Sequence, residues 1–158
     1  MFKRCLWLLA LFVAALVVPA CETVQGSGKV DGGWPWRPTS LSVHELTRIS
    51  RPDAEGRRFV EVRVEFLDRD LDPTKAYGRL SVAIKRLGEE EPPWTIEVDL
   101  ERPDVSRERY ESVTATYLLR LQPDLPGLVP GRRIQVKVRY EGVDGARFSD
   151  SRELAWPE

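Results

Sequence analysis

Apolar and polar residues alternate with a period of two along much of this chain, and this alternation constrains the fold more than any other feature. In "FVEVRVEFLD", residues 59–68, every second residue is apolar, namely Val60, Val62, Val64 and Phe66. Successive side chains of a strand point to opposite faces of its sheet, so the pattern indicates strands with one buried and one solvated face. No long stretch keeps apolar residues at a helical spacing. We therefore expect an all-β protein.

The same alternation recurs in four further stretches: "RLSVAIKRL", "WTIEVDLE", "VTATYLLRL" and "RIQVKVRYE". For "VTATYLLRL" it predicts one inward row of Val113, Ala115, Tyr117, Leu119 and Leu121. Two flanking strands are less regular. "TSLSVHELTRIS" changes parity, which predicts a bulge near Glu45, and "ARFSDSRELAW" reads as an edge strand. The Asp-Gly pair in Val143–Ala146 predicts a hairpin between the last two strands.

Seven or eight short antiparallel strands in roughly 120 residues predict a single β-sandwich of two sheets. An immunoglobulin-like and a C2-like layout both fit the spacing, and a small barrel is the alternative. We expect this domain to occupy residues 34–158, with proline- and glycine-rich loops such as "EEEPP", "ERPD" and "QPDLPGLVPG" between its strands.

The first 20 residues have the order of a secretory signal peptide. Lys3 and Arg4 supply the positive end, and Cys5–Val18 form an uninterrupted apolar run. A helix of about 14 residues spans roughly 21 Å, which is less than a hydrocarbon core of about 30 Å. The run is therefore predicted to be a cleaved signal helix rather than a permanent transmembrane segment.

The residues that close this run, Val18-Pro19-Ala20-Cys21, resemble the lipobox of bacterial lipoproteins, which is an aliphatic residue, two small residues and a cysteine. The resemblance implies cleavage before Cys21, a diacylglycerol on its sulfur and an acyl group on the new amine. It places the protein in the bacterial cell envelope, anchored to a membrane by lipid. An ordinary signal peptide is the alternative, and it would leave an exposed, unpaired thiol outside the cytoplasm.

Residues 22–33, "ETVQGSGKVDGG", are polar and rich in glycine, so residues 21–33 are predicted to form the lipidated cysteine and a flexible tether. In the lipoproteins that the lipobox resembles, aspartate after the cysteine often marks inner-membrane retention. Glu22 occupies that position here, which favours the outer membrane over the inner one. With Cys5 removed and Cys21 acylated, the domain has no thiol for a disulfide, a metal site or a nucleophile.

The charge of the chain argues against a nucleic-acid partner. Loss of Lys3 and Arg4, two positive charges, changes the formal net charge from −1 to −3, and acidic and basic residues are interleaved. Nucleic-acid binding requires clustered lysine and arginine side chains, because it depends on neutralising phosphates. The sequence contains no such cluster.

The densest group of carboxylates is Asp68, Asp70 and Asp72, in a loop that follows a predicted strand. Alternating aspartates can direct several oxygens into one loop, as a calcium ion requires, and calcium is therefore one hypothesis for this segment. The other is a polar turn in which aspartate side chains accept hydrogen bonds from nearby backbone amides and Pro73 sets the bend. No other cofactor is expected.

No constellation of residues in the sequence predicts catalysis. The single histidine, His44, lies within the first predicted strand and has no motif that supplies a nucleophile. The acidic run Glu89–Glu91 stands beside two prolines, as in a solvated loop. We therefore expect a protein that is not an enzyme.

Three tryptophans of the predicted domain, Trp34, Trp36 and Trp156, have two interpretations. They form a collar over the open end of the core, or they are a ligand or interface site through exposed rings. Together these features predict a non-enzymatic, lipid-anchored envelope protein that acts as a structural or protein-interaction module. The alternative is a ligand-binding module for calcium or cell-wall glycan.

Overall fold

The computed structural model describes residues 37–158, and these form two antiparallel sheets that pack against each other. The strands in chain order are β1 (Ser40–Val43), β2 (Arg48–Ile49), β3 (Val60–Leu67), β4 (Gly78–Arg86), β5 (Trp94–Asp99), β6 (Tyr110–Glu111), β7 (Thr116–Leu121), β8 (Arg133–Gly142) and β9 (Arg147–Ala155). A short helix, α1 (Pro103–Arg109), precedes β6. The predicted all-β sandwich is confirmed. The signal segment, Cys21, the tether, Trp34 and Trp36 lie outside the described residues.

The strand order is that of an immunoglobulin-like sandwich. The first sheet has the order β1-β3-β7-β6, with β2 also paired to β3, and is called the five-stranded sheet below. The second, the four-stranded sheet, has the order β5-β4-β8-β9. These orders correspond to strands A-B-E-D and C′-C-F-G of the immunoglobulin fold. They resolve the choice of layout that the sequence left open.

The alternating apolar rows form the core between the sheets. The side chains of Val60, Val62, Val64 and Phe66 on β3 are fully buried, as are those of Leu80, Val82 and Ile84 on β4. On β8 the buried row consists of Ile134, Val136, Val138 and Tyr140. Burial therefore follows the period of two, and the polar residues between these positions form the outer faces.

The first predicted strand is divided in two, and together with the additional short strand β6 this gives nine strands in residues 37–158, one more than the upper expectation. β1 and β2 both pair with β3, but residues 44–47 lie opposite only Val62 and Arg63. The side-chain oxygen of Thr47 accepts a hydrogen bond from the backbone of Arg63 at 3.0 Å. The bulge predicted near Glu45 is instead a turn, and beyond it Ile49 packs against the core on the same side as Val43.

The prediction of an inward row that begins at Val113 is wrong. Residues 112–115 form the turn of a hairpin between β6 and β7, where Tyr110 pairs with Tyr117 and Glu111 with Thr116. Val113 is 93 % exposed and Ala115 has a φ of 53°. The inward row begins at Tyr117, because the chain needs the preceding residues to reverse direction.

The "ERPD" stretch, predicted as a loop between strands, leads into α1. Proline is favoured at the first helical position because the amide hydrogen that it lacks would have no partner there. Pro103 occupies the first turn together with Asp104, and Arg107 and Arg109 lie in the last turn. These charges suit the dipole of a helix at both ends.

The last strand, β9, is an edge strand, as predicted, and its hairpin with β8 forms at Val143–Ala146. Its half-buried Asp150 joins the two sheets, because one carboxylate oxygen accepts a hydrogen bond from the Val43 amide at 2.7 Å. Asp150 is charged and faces inward on this edge strand, and its carboxylate is therefore hydrogen-bonded to the backbone of β1.

Alkaline pH is expected to destabilise the domain through Tyr140. Burial raises the pKa of Tyr140 from 10.0 to about 12, and the hydroxyl donates a hydrogen bond to the Tyr77 carbonyl at 2.8 Å. Because the folded pKa is the higher one, this stabilisation is complete below pH 10 and is lost as the pH rises through about 12. Thermal melting between pH 8 and 12 should show a steeper decline for the wild type than for Tyr140→Phe. Equal slopes would contradict this assignment.

Candidate functional site

The aspartate loop is organised around one buried carboxylate. Asp68 is 2 % exposed, and its Oδ1 accepts hydrogen bonds from the amides of Asp70 at 2.9 Å and Asp72 at 3.1 Å. The side chains of Asp70 and Asp72 are exposed. Within residues 37–158, no three His, Cys, Asp or Glu side chains are grouped so that they could hold a metal ion. This geometry favours the turn, and calcium binding stays a prediction.

Replacing Asp68 by alanine is expected to reduce the free energy of unfolding by about 1–3 kcal/mol, because two amides lose their acceptor. The loss should be the same with calcium and with a chelator, as measured by urea denaturation. Asp70→Ala is the control, and its exposed side chain predicts a change within about 0.5 kcal/mol. A loss that occurs only after calcium removal would instead favour the calcium hypothesis.

Trp156 and His44, the other residues singled out from the sequence within the described part, make hydrogen bonds with backbone groups, and an interface role for Trp156 stays a prediction. Trp156 is half-buried against the core, and its amide donates a hydrogen bond to the Arg132 carbonyl at 2.7 Å. Nδ1 of His44 accepts a hydrogen bond from the Leu46 amide at 3.2 Å.

The charged groups on the outer face of the five-stranded sheet are largely paired with one another. Glu61 contacts Arg48 at 2.8 Å and Arg120 at 3.5 Å. Arg63 forms an ion pair with Glu111, and this hydrogen bond lowers the pKa of the Glu111 carboxyl. Most charged side chains on this face are therefore paired with an opposite charge on the same face.

The outer face of the four-stranded sheet instead contains a trough of about 360 Å³ that follows β4. Its floor consists of Ser81 and Ala83, two small residues on a central strand whose neighbours carry longer side chains. It is lined by Ser81, Ala83 and Lys85 of β4, Thr95 of β5, Gln135, Lys137 and Arg139 of β8, and Glu89, Glu90, Glu91 and Pro93 of the β4–β5 loop. Small side chains between longer ones leave a depression open to solvent.

One end of the trough is formed by the β4–β5 loop, and Arg86 holds this loop in place. The side chain of Arg86 is only 15 % exposed and forms ion pairs with Glu89 and Glu91. The hydrogen bond to Glu91 raises the pKa of the Arg86 guanidinium. The single positive charge of Arg86 offsets one of the two negative charges of Glu89 and Glu91, and the exposed Glu90 forms no ion pair in the described part of the chain, so this loop keeps a net negative charge.

Three cations beside the floor, Lys85, Lys137 and Arg139, have no ion pair or side-chain hydrogen bond within the described part of the chain. Pairing registers explain this observation. Lys137 lies between Ala83 and Ser151 on the neighbouring strands, and Arg139 lies between Ser81 and Ser149. Lys85 lies opposite Gln135. None of these cross-strand neighbours carries a negative charge. The trough is therefore positively charged along its β8 side, and Lys85 lies between this side and the acidic β4–β5 loop.

Sequence reasoning did not single out these cations. The alternation had placed Lys85, Lys137 and Arg139 on polar faces, and the small outward residues of β4 were visible in the sequence. What was missing was the pairing of β4 with β8, two strands separated by about 50 residues of chain. Only that pairing brings the small residues and the cations together.

Comparison with protein-family models, curated proteins and solved structures finds no match for this chain. Across residues 37–158, no helix has the length and apolar character needed to cross a membrane. The geometry of the sandwich is therefore the basis for a functional hypothesis.

Proposed function

We propose that this chain is a non-enzymatic, lipid-anchored protein of the bacterial cell envelope, and that its sandwich is a protein-interaction module. The observation that carries the proposal is the contrast between the two outer faces. The face of the five-stranded sheet pairs its charges internally, whereas Lys85, Lys137 and Arg139 line a trough without partners. Complementary charge on a partner would meet these cations and fix its orientation.

Two carboxyl groups outside the trough, those of Glu111 and Asp104, are held in ion pairs that lower their pKa values. General acid catalysis by a carboxyl needs a raised pKa, which usually comes from burial without a cationic partner. Arg63 lowers the pKa of Glu111, and Arg102 lowers the pKa of Asp104. Glu111 and Asp104 are therefore poor general acids, which agrees with the proposed binding role.

The entry of the described chain can be located relative to the trough. The Thr39 amide donates a hydrogen bond to the Leu67 carbonyl, so the described chain enters at the end where β3 finishes and β4 starts. The β4–β5 loop lies at the other end of β4. The loop end of the trough therefore lies at the opposite end of the sandwich from the entry of the described chain.

Crosslinked co-purification from native membranes tests this function. The wild type is compared with a trough variant, Lys137→Glu/Arg139→Glu, and with a control, Arg51→Glu/Arg132→Glu, that makes the same change in charge. Arg51 and Arg132 are exposed residues outside the strands, and their side chains form no ion pair in the described part of the chain. We expect one partner in fixed proportion with the wild type and the control, and its loss with the trough variant.

A Cys21→Ser chain tests the anchor in the same experiment. This chain should remain unlipidated and should not recover the partner, because only the lipidated protein is held at the membrane where the partner is expected. Equal recovery with the trough variant would contradict the proposed interface. If no partner is recovered with any form, the alternative of a calcium or glycan ligand becomes the better one, and thermal melts with calcium, chelator and peptidoglycan fragments would test it.

A further inference from the structure

We infer that the trough binds an extended polypeptide segment that carries carboxylates at alternate positions. This inference rests on the proposed function, because it names the chemistry of the partner at the same face. It is argued from the spacing of the three cations, the shape of the floor and the distribution of charge across the trough.

The spacing of the cations matches an extended chain. Arg139 and Lys137 are two residues apart on β8, and Lys85 pairs with Gln135, the next residue of that outward row. A strand rises about 3.4 Å per residue, so the three positions follow one another along the strand direction at steps of about 7 Å, with Lys85 displaced sideways by one strand, about 4.8 Å, onto β4. Side chains on one side of an extended peptide repeat at the same interval. Alternate carboxylates would each meet one cation.

The floor leaves room for a bound peptide to lie along β4 without moving any side chain of the protein. Ser81 and Ala83 are two residues apart on the outward side of β4, with Arg139 and Lys137 as their respective neighbours on β8. The backbone of β4 already pairs with both β5 and β8, so the segment cannot add to the sheet as a strand. Side-chain contacts must therefore hold it, and charge-assisted hydrogen bonds from Lys and Arg to carboxylates are the strongest available.

The charge across the trough also sets the side on which the carboxylates lie. Glu97 on β5 is opposite Ser81, and Glu90 lies in the β4–β5 loop, so the β5 side is acidic. Glu153, on β9 beyond Gln135, is paired with Arg133 at 3.1 Å. An acidic segment would be repelled by Glu97 and Glu90 and attracted by the β8 side. Its carboxylates would thus lie on one side, with small or basic residues on the other.

A second copy of this chain fits the face less well. Interfaces between identical subunits have an apolar core, commonly with large side chains at its centre. The centre of this face has Ser81 and Ala83, and its flanks are polar. Self-association is therefore an outcome of the test that would overturn the inference.

The test uses fluorescence polarisation with the purified full-length protein in detergent and labelled peptides. One peptide alternates glutamate with serine, and a second has the same composition with its glutamates in one block. We expect the alternating peptide to bind more tightly and to weaken as salt rises from about 50 to 200 mM, because screening increases over this range. Lys137→Glu/Arg139→Glu should weaken its binding roughly tenfold or more, and Arg51→Glu/Arg132→Glu should leave it unchanged.

A second variant separates shape from charge. Ala83→Leu fills the floor without altering charge, and we expect it to weaken the alternating peptide as well, with circular dichroism confirming the fold. Equal affinity for both peptides, or tighter binding of polygalacturonate, would overturn the inference in favour of non-specific or glycan recognition. Dimers that disappear in Lys137→Glu/Arg139→Glu, detected by sedimentation, would overturn it in favour of a second copy.

The experiments distinguish a failure of the acidic-segment inference from a failure of the proposed function. If co-purification still depends on the trough but neither peptide binds, the interaction module stands and the acidic segment is wrong. If both depend on the trough, the partner recovered from membranes should contain an acidic segment of alternating pattern.

Discussion

Gly78→Ala is expected to destabilise the domain by about 3 kcal/mol or more, although it adds one methyl group. Gly78 begins β4 with a φ of +157° and pairs with Gly142 on β8. A Cβ at this position would overlap the Glu141 carbonyl oxygen and lie 2.8 Å from the Gly142 Cα. Both are backbone atoms of a paired strand, so β8 would have to move. Urea denaturation of the two proteins would measure the loss.

Gly88→Ala provides the matched control for this effect. Gly88 has a φ of +83°, but a Cβ there would have no neighbour within 4 Å. The substitution therefore carries only the cost of a left-handed conformation, about 1 kcal/mol. If Gly78→Ala cost no more than Gly88→Ala, the close approach of β4 and β8 at their paired ends would be contradicted.

The strands of the core could be predicted because a single rule governs them. Each apolar residue of β3 from Val60 to Phe66 is buried, and the polar residues between them lie on the other face. The same rule identified β4 and β8, whose inward rows are also continuous. Alternation in the sequence reflects burial directly. A long strand with one buried face can therefore be recognised even when the strands that pair with it are unknown.

The short elements could not be predicted in this way. β6 has two residues and α1 has seven, which is too few for a period to establish itself. Val113 and Ala115 continued the alternation of β7 by chance, although the chain turns there. Both side chains are apolar, as an inward row requires. The chain nevertheless reverses direction between β6 and β7 at these residues, so they belong to the turn.

The candidate site depends on pairing between strands far apart in the sequence. The aspartate loop was visible as a local pattern, and its turn interpretation matches the hydrogen bonds that Asp68 accepts. The trough has no local pattern, because its floor is on β4 and two of its cations are on β8. Which outward residues become neighbours is fixed by strand order and register, and neither follows from alternation alone.

Tyr117→Ala is expected to reduce the free energy of unfolding by about 3–5 kcal/mol, as for other large buried aromatic residues. Tyr117 is fully buried on β7. Its ring meets those of Phe66 and Tyr110 edge-on, at centroid distances of 5.8 Å and 5.2 Å. Alanine would leave a cavity between these rings, because the two sheets that surround it cannot close completely. Urea denaturation, with folding confirmed by circular dichroism, would measure the effect.

Tyr117→Phe separates the ring from the hydroxyl. The hydroxyl oxygen accepts a hydrogen bond from the Ala76 amide at 3.1 Å and lies 3.2 Å from the Ser106 side-chain oxygen. Phenylalanine keeps the ring contacts but leaves that buried amide without its acceptor, so we expect a smaller loss of about 1–3 kcal/mol. The hydroxyl thereby joins the loop before β4 to α1. If Tyr117→Phe were neutral, water would have to replace the hydroxyl at Ala76. A loss equal to that of Tyr117→Ala would mean that the hydrogen bonds, rather than ring packing, give Tyr117 its stabilising effect.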